Sequence, residues 1–181
     1  MIKNTTDSLK TAALIVGDLM VSAAITAPKG SGKDTIRAAV ITGKEKKRLA
    51  DEMRKIGDEI DQDFFNRDAD NVDDSHLIVI IGCISKPFGL DNCRNCGFNS
   101  CNEMKKAGGR CAFNVTDLGV AIGSAVSVAA DHRMDNRVLY SAGKAAKQLN
   151  LFDDVDVYYG IPLSTTSKSI YFDRNPGAVK F

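Results

Sequence analysis

All five cysteines of this 181-residue chain lie between positions 83 and 111. Four of them follow the spacing Cys93-x2-Cys96-x4-Cys101-x9-Cys111, and the fifth is Cys83. A disulfide framework is unlikely in a reduced compartment, and cysteines gathered in one segment favour a metal or redox site. The fold must therefore bring one short segment around a single site.

The cysteine spacing is typical of an iron-sulfur cluster. A cubane cluster has four irons, and each needs one cysteine. It can be surrounded by two close thiolates, a third one short loop later and a fourth that returns from further along the chain. We therefore predict that Cys93, Cys96, Cys101 and Cys111 bind one [4Fe-4S] cluster. Cys83 ends an apolar run, which predicts a core thiol rather than a fifth ligand.

Zinc is the alternative metal. Four cysteine thiolates can bind zinc tetrahedrally, but structural zinc sites usually pair two short knuckles, whereas the second half here is x4 followed by x9. The two histidines, His76 and His132, lie outside the cysteine segment. The spacing favours a cluster over zinc, and the zinc alternative stays open.

Positive charge is concentrated around the cysteines. Residues 83–113 carry an excess of three positive charges in a chain with a net charge of +1. The basic residues are Lys86, Arg94, Lys105, Lys106 and Arg110, and the acidic residues are Asp91 and Glu103. Such an excess can offset the charge of a thiolate-ligated cluster or guide an acidic redox partner. The nearly neutral chain as a whole does not indicate nucleic-acid binding.

The sequence predicts a cytoplasmic protein that is not embedded in a membrane. No apolar run approaches the roughly 18 residues that span a bilayer, and the N-terminus lacks the apolar region of a signal peptide. The cytoplasm keeps thiols reduced, which suits a cysteine-based metal site.

The rest of the chain alternates helical and strand patterns. Helices are predicted at Ser8–Ala27, 44–63, Val115–Asp131 with Thr116 as N-cap, and 144–149. Strands are predicted at Thr35–Thr42, Leu77–Gly82, Arg137–Ser141 and Val155–Gly160, and the aspartate-rich residues 61–74 are expected to be a helix end and loop. The length predicts a single domain, residues 1–181, of the α+β class (an α/β sandwich), with residues 83–113 as an irregular cysteine-rich ferredoxin-like insertion.

The stretch from Gly89 to Arg174 resembles a family of uncharacterised prokaryotic proteins described as containing a ferredoxin domain. The resemblance is carried by GLDNCRNCGFNSC, CAFNVTDLGVAIGSAVSVAADHRMDNRVLYSAGKAA and GIPLSTTSKSIYFDR. It implies a four-cysteine cluster site at the same four positions that the spacing selects.

The body of the chain is also similar to the flavin-dependent nitroreductases. As in those proteins, an early helix ends in an alanine-proline pair, Ala27-Pro28, and the last strand ends in Gly160-Ile161-Pro162. The similarity implies a mixed sheet flanked by helices and a homodimer. Gly119 and Gly123, on a helix of small residues, would allow a second helix to approach closely.

The same similarity implies where FMN would bind if it binds at all. The residues are Lys29, Ser31 and Lys33 after the first helix, and Lys168 and Arg174 near the C-terminus. The arginine-serine-arginine start that grips the flavin phosphate in nitroreductases is missing here, since residues 3–9 contain no arginine.

Three functions remain open from the sequence. The first is an iron-sulfur redox protein, in electron transfer or as an oxidoreductase component with an unidentified partner protein. The second is a non-enzymatic module in which zinc or a cluster acts as a structural clip or redox sensor. The third is a flavin-dependent reductase of nitroreductase-like fold. No catalytic triad or paired-carboxylate site is legible, so catalytic residues are not assigned.

Overall fold

A four-stranded antiparallel sheet forms the middle layer of the structure, a computed structural model that describes residues 2–172. The strands are β1 (Ile36–Ile41), β2 (Leu77–Cys83), β3 (Asp135–Asn136) and β4 (Val157–Ser164), in the spatial order β1-β2-β4-β3. β2 lies between β1 and β4, so its backbone groups are hydrogen-bonded on both edges.

Helices cover both faces of this sheet. They are α1 (Thr5–Thr26), α2 (Gly43–Ile60), α3 (Asp63–Asp74), α4 (Cys101–Lys106), α5 (Ala112–Asp131) and α6 (Tyr140–Gln148). A single 3-10 turn, Gly30–Gly32, follows α1. Residues 84–100, between β2 and α4, form neither helix nor strand.

The side chains of β2 divide the core into two halves. Leu77, Val79 and Ile81 pack with α1 and α5 on one face, whereas Ile78 and Ile80 pack with α2, α3 and α6 on the other. This alternation is the period of two that a strand requires. Because every residue of β2 is buried, the strand is apolar throughout instead of alternating with polar residues.

The α+β class and the irregular cysteine-rich insertion are confirmed. The three strand pairs in residues 2–172 are all antiparallel, so the mixed strand directions expected from nitroreductases are not seen in this part of the chain.

The aspartate-rich segment was predicted wrongly as a helix end and loop. Residues 63–74 form α3, because Phe65, Ala69 and Val72 give one apolar face that packs with α2. α2 stops just before it, where Asp61 adopts a left-handed conformation with φ 54°. Asp68 is buried on α3 and accepts a hydrogen bond from the Ser141 hydroxyl at 2.6 Å.

Two further boundaries differ from prediction. The strand expected at 137–141 is reduced to one bridge between Leu139 and Gly160, and α6 begins at Tyr140. The helix expected from Val115 with Thr116 as its N-cap begins at Ala112, and Cys111 occupies the N-cap position.

Two of the described helices, α1 and α5, are long and apolar enough to cross a membrane by length and composition alone. The expectation that no segment reaches that length and hydropathy is therefore not met. Core helices of soluble proteins pass the same test, and both α1 and α5 contribute one face to the core against the sheet.

Candidate metal centre

The four spaced cysteines line one cavity. Its volume is about 410 Å³, including the open space at its mouth, and Cys93, Cys96, Cys101 and Cys111 all contribute to its wall. All are free thiols. Within residues 2–172, no three His, Cys, Asp or Glu side chains converge closely enough to hold a single metal ion. The fold thus brings Cys111 to the same cavity as the other three cysteines. The four thiols line its wall, but they are not close enough together to hold one ion.

Tight turns position the first two cysteines. Cys93 is flanked by two residues in the left-handed conformation, Asn92 with φ 57° and Arg94 with φ 49°. The N–H of Gly97 donates to the Arg94 carbonyl at 2.9 Å, which closes a turn around Cys96. Gly97 has φ 83°, a conformation that favours glycine over any residue with a Cβ.

Helix starts position the other two cysteines. Cys101 is the first residue of α4, where the Ser100 hydroxyl accepts from the Glu103 N–H at 3.1 Å and the Glu103 carboxylate accepts from the Asn99 N–H at 2.9 Å. This pair resembles a capping box, except that Glu103 accepts from the residue before the N-cap, and it fixes the helix start. Cys111 occupies the N-cap of α5, where the helix dipole favours a negatively charged ligand sulfur.

Apolar side chains form much of the rest of the cavity wall, which also includes Arg94, Asn95, Asn99 and Ser100. Phe88, Met104 and Cys111 are buried in a small hydrophobic cluster against which Phe98 and Phe113 pack. The rings of Phe88 and Phe113 lie 5.1 Å apart between centroids. The four free thiols match the donor set of an iron-sulfur cluster. The apolar side chains beside them would limit the access of water to such a cluster.

The loop after α1 contacts the same wall. The N–H of Gly30 donates to Asp117 Oδ1 at 3.0 Å, and the Lys33 ammonium lies 5.3 Å from the centroid of the Phe88 ring. The loop that the nitroreductase similarity selects for flavin is therefore next to the cysteine cavity, with Phe88 between them. Sequence reasoning missed Phe88 and Asp117; the one signal for Asp117 was a carboxylate in an otherwise small and apolar helix.

The residues predicted to contact flavin have different surroundings. The Lys29 ammonium donates to the carbonyls of residues 24, 25 and 27, so it caps the C-terminus of α1. Ser31 is exposed with φ 53° in the 3-10 turn, and Lys33 lies over Phe88. Lys168 is exposed after β4, and Arg174 lies outside the described residues. Flavin binding by these residues stays a prediction.

Polar atoms without hydrogen-bond partners lie at the start of α5. Within residues 2–172, both side-chain polar atoms of Asn114 and the Oδ2 of Asp117 are buried and have no partner. Asn114 is only 1% exposed. Leaving a buried polar group unpaired costs about 1–3 kcal/mol, so such groups usually have a ligand or water to bind.

Cys83 differs from the four cavity cysteines. It ends β2, is 1% exposed and belongs to the core cluster between the sheet and the α1–α5 pair. Burial, reinforced by the nearby carboxylates of Asp156 and Asp117, raises the pKa of its thiol to about 11. A buried, protonated thiol is a poor metal ligand, which supports the assignment of Cys83 to the core.

We expect the pKa of Cys83 to make the metal-free protein less stable in alkali. The folded chain holds this proton more tightly than the unfolded chain, whose thiol has a pKa of 9.0. The contribution of the protonated thiol to the free energy of unfolding is complete below about pH 9. It is lost as the pH rises towards 11, and the loss amounts to at most about 2–3 kcal/mol. Urea unfolding at about pH 8 and pH 10.5 should show a smaller loss in Cys83→Ser than in wild type. Equal losses would contradict the raised pKa.

We expect Gly30→Ala to disturb the cavity wall. A Cβ on Gly30 would lie 2.8 Å from the ring of Phe88, so the ring must move away from the position that closes the cavity. Overpacking of this kind costs about 1–3 kcal/mol, and we expect faster loss of iron from the anaerobically purified protein. Gly119→Ala is the matched control, because a Cβ there has no atom within 4 Å. Equal iron retention in both variants would contradict the role of Phe88.

Comparison with known sequences places this chain in a family. Residues 107–174, which include Cys111, match the family described as "Uncharacterized protein containing a ferredoxin domain" (DUF2148). An uncharacterized protein from Archaeoglobus fulgidus is 43% identical over 178 residues, which cover 94% of each chain. The chain belongs to this ferredoxin-domain family. Family membership confirms the resemblance read from the sequence and supports iron-sulfur redox chemistry in general.

Solved structures similar to this family member include nitroreductases. A nitroreductase with bound FMN from Desulfitobacterium hafniense aligns with a TM-score of 0.57 at 14% identity, covering 85% of this chain and 78% of the other. A nitroreductase family protein from Clostridium novyi aligns with a TM-score of 0.58 at 14% identity, covering 83% and 73%. At this identity the similarity shows the fold alone, and the nitroreductase-like fold expected from the sequence is confirmed.

Proposed function

We propose that this chain is an iron-sulfur redox protein in which Cys93, Cys96, Cys101 and Cys111 hold one [4Fe-4S] cluster. The observation that carries the proposal is the single cavity lined by these four free thiols. Membership of a ferredoxin-domain family supports the same chemistry. The cytoplasm, where thiols remain reduced, is the compartment that the proposal requires.

The arrangement of the thiols favours a cluster over zinc. A single zinc ion draws four sulfurs to about 2.3 Å from one centre. Here the four thiols line one cavity, but no three metal-ligating side chains in residues 2–172 lie close enough together to hold a single ion. In a cluster each thiolate binds a different iron, so the ligands need not meet at one point.

The residues around the thiols have separate tasks. When bound, the cluster supplies one-electron transfer. The turns at Asn92, Arg94 and Gly97 orient the first two cysteines, and Phe88 and Phe113 exclude water from the cavity. The partial exposure of Cys93, Cys96 and Cys101 leaves one side of the site accessible to a partner.

Anaerobic purification followed by iron, sulfide, zinc and flavin assays tests the proposal. We expect a brown protein, bleached by dithionite, with about four irons and four sulfides per chain. A colourless protein with one zinc per chain would contradict the proposal and support the structural-clip alternative. Anaerobic handling matters because oxygen destroys many exposed clusters and would leave free thiols.

A flavin-dependent reductase is the second candidate function. It is favoured by the unpaired polar atoms of Asn114 and Asp117 at the start of α5, where Asp117 also accepts a hydrogen bond from the loop that precedes β1. Both hydrogen-bond donors and acceptors are available there for a polar cofactor. Stoichiometric FMN in the same purified sample, together with iron, would make the chain an oxidoreductase with two cofactors. Flavin without iron would replace the first candidate by the second.

We also propose that the chain forms a homodimer. The outer surfaces of α1 and α5 expose large apolar side chains, among them Ile15 at 55%, Leu14 at 45% and Val115 at 43%. Exposed apolar patches of this kind mark association surfaces. Light scattering after size exclusion should give twice the chain mass of 19.5 kDa. Leu14→Glu/Ile15→Glu should give the chain mass alone, whereas a monomeric wild type would contradict the proposal.

A further inference from the structure

Unpaired cations are concentrated on the cysteine segment. Lys86, Arg94, Lys105 and Lys106 are all exposed in a segment that has only two acidic residues. One of these acidic residues, Glu103, uses its carboxylate to cap α4. The ion pair seen in this segment among residues 2–172 joins a different cation, Arg110, to Asp156. The rest of the chain carries a net charge of −2, because the segment contributes +3 to a whole-chain charge of +1.

These four cations lie close in the chain to the residues that line the cavity. Arg94 lines the cavity directly, beside Cys93. Lys105 and Lys106 form the last turn of α4, the helix that begins with Cys101. Lys86 precedes the wall residue Phe88 by two positions. We call the set Lys86, Arg94, Lys105 and Lys106 the cationic rim.

We propose that the cationic rim is a docking surface for an acidic electron-transfer protein. This inference rests on the proposed function, because it assigns a partner to the same cluster site. Because these cations are exposed, water screens their effect on the cluster, and they act more on a charged partner at the surface than on the charge of the cluster. Complementary charge accelerates association by about 10- to 1000-fold. In the exchange, the partner loses one electron and this chain gains it, and no bond or proton is transferred.

An acidic protein fits this surface better than a nucleic acid does. Binding along a phosphate backbone depends on many Lys and Arg contacts, which a chain with a net charge of +1 does not offer over an extended face. A cationic rim confined to residues 86–106 of the cysteine segment instead matches the small contact that transient electron-transfer complexes form. Charge then steers the encounter and orients the two redox centres towards each other.

Stopped-flow reduction of the anaerobic, cluster-loaded protein tests the docking surface. The probe is a plant-type [2Fe-2S] ferredoxin, an acidic carrier, reduced beforehand and freed of excess dithionite. We expect the second-order rate constant to fall at least about tenfold between roughly 20 mM and 500 mM salt. Lys105→Glu/Lys106→Glu should lower the low-salt rate at least about tenfold and flatten its salt dependence.

Matched variants separate charge from folding. Lys44→Glu/Lys55→Glu places the same charge change on exposed positions of α2, and its rate should stay within about twofold of wild type. Lys105→Gln/Lys106→Gln removes the charge without placing acids at the C-terminus of α4, and it should give an intermediate rate. Iron content and the extent of bleaching by dithionite should be unchanged in all variants.

The outcomes distinguish the docking proposal from the cluster proposal on which it rests. If dithionite bleaches the wild type but the ferredoxin rate does not depend on salt, or if the α2 variant slows as much as the rim variant, the docking proposal is overturned and the cluster stands. If the wild type contains no cluster, both proposals are overturned. Binding of a short DNA duplex that the rim variant abolishes, without salt-dependent electron transfer, would overturn the docking proposal alone.

Discussion

Replacing Cys96 with serine is expected to abolish the iron-sulfur cluster. Cys96 lines the cavity and packs against the wall cluster of Phe88 and Met104. A serine hydroxyl at this position is protonated at neutral pH and is a far weaker iron ligand than a thiolate. Iron and sulfide per chain, measured after anaerobic purification, should fall from about four each to nearly none.

Cys83→Ser is the matched control for this substitution. The exchange of sulfur for oxygen is the same, but Cys83 lies in the core at the end of β2, outside the cavity wall. We therefore expect about four irons per chain in Cys83→Ser, even though the buried hydroxyl lowers the free energy of unfolding. Equal loss of iron in the two variants would show that the ligand assignment is wrong.

Gly143→Ala is expected to give the largest loss of stability among single methyl additions in α6. The backbone of α6 crosses β4 so closely that a Cβ on Gly143 would lie 2.0 Å from the Tyr158 carbonyl oxygen and 2.6 Å from its carbonyl carbon. These are backbone atoms of a central strand, so they cannot rotate away as a side chain does. We expect the free energy of unfolding in urea to fall by about 3 kcal/mol or more.

Gly123→Ala on α5 tests whether this loss comes from the close approach. Both glycines are helical, but a Cβ at Gly123 has no atom within 4 Å. Alanine is the better helix former by about 0.5–1 kcal/mol, so within the single chain we expect Gly123→Ala to lose far less stability than Gly143→Ala. If Gly143→Ala unfolded at the same urea concentration as Gly123→Ala, the packing of α6 on β4 would be wrong.

The fold could be predicted wherever one pattern dominated the local sequence. The period of three and four residues predicted α1, and continuous apolar residues predicted β2, because burial on both faces removes the alternation. α3 was missed since its aspartates suggested a solvated loop, whereas one of them, Asp68, is buried and bonded to Ser141. The strand predicted at Val155–Gly160 was placed too early, because β4 runs from Val157 to Ser164.

The sequence could predict which cysteines line the cavity, but not what surrounds them. Spacing alone selected four cysteines, and the structure gathers them around one cavity. The contact of Phe88 with the loop at Gly30, and the hydrogen bond from that loop to Asp117, join segments far apart in the chain. Such contacts depend on how α1, α5 and the sheet pack together, and no local pattern records that packing.

Anomalous X-ray scattering from crystals of the anaerobically purified protein, collected at the iron and zinc edges, tests the central claim most directly. The account predicts strong iron scattering inside the cavity, with the sulfurs of Cys93, Cys96, Cys101 and Cys111 each bound to a different iron. Cys83 should remain unbound at the end of β2. A single zinc bound by the four sulfurs, or an iron site that excludes Cys111, would contradict it.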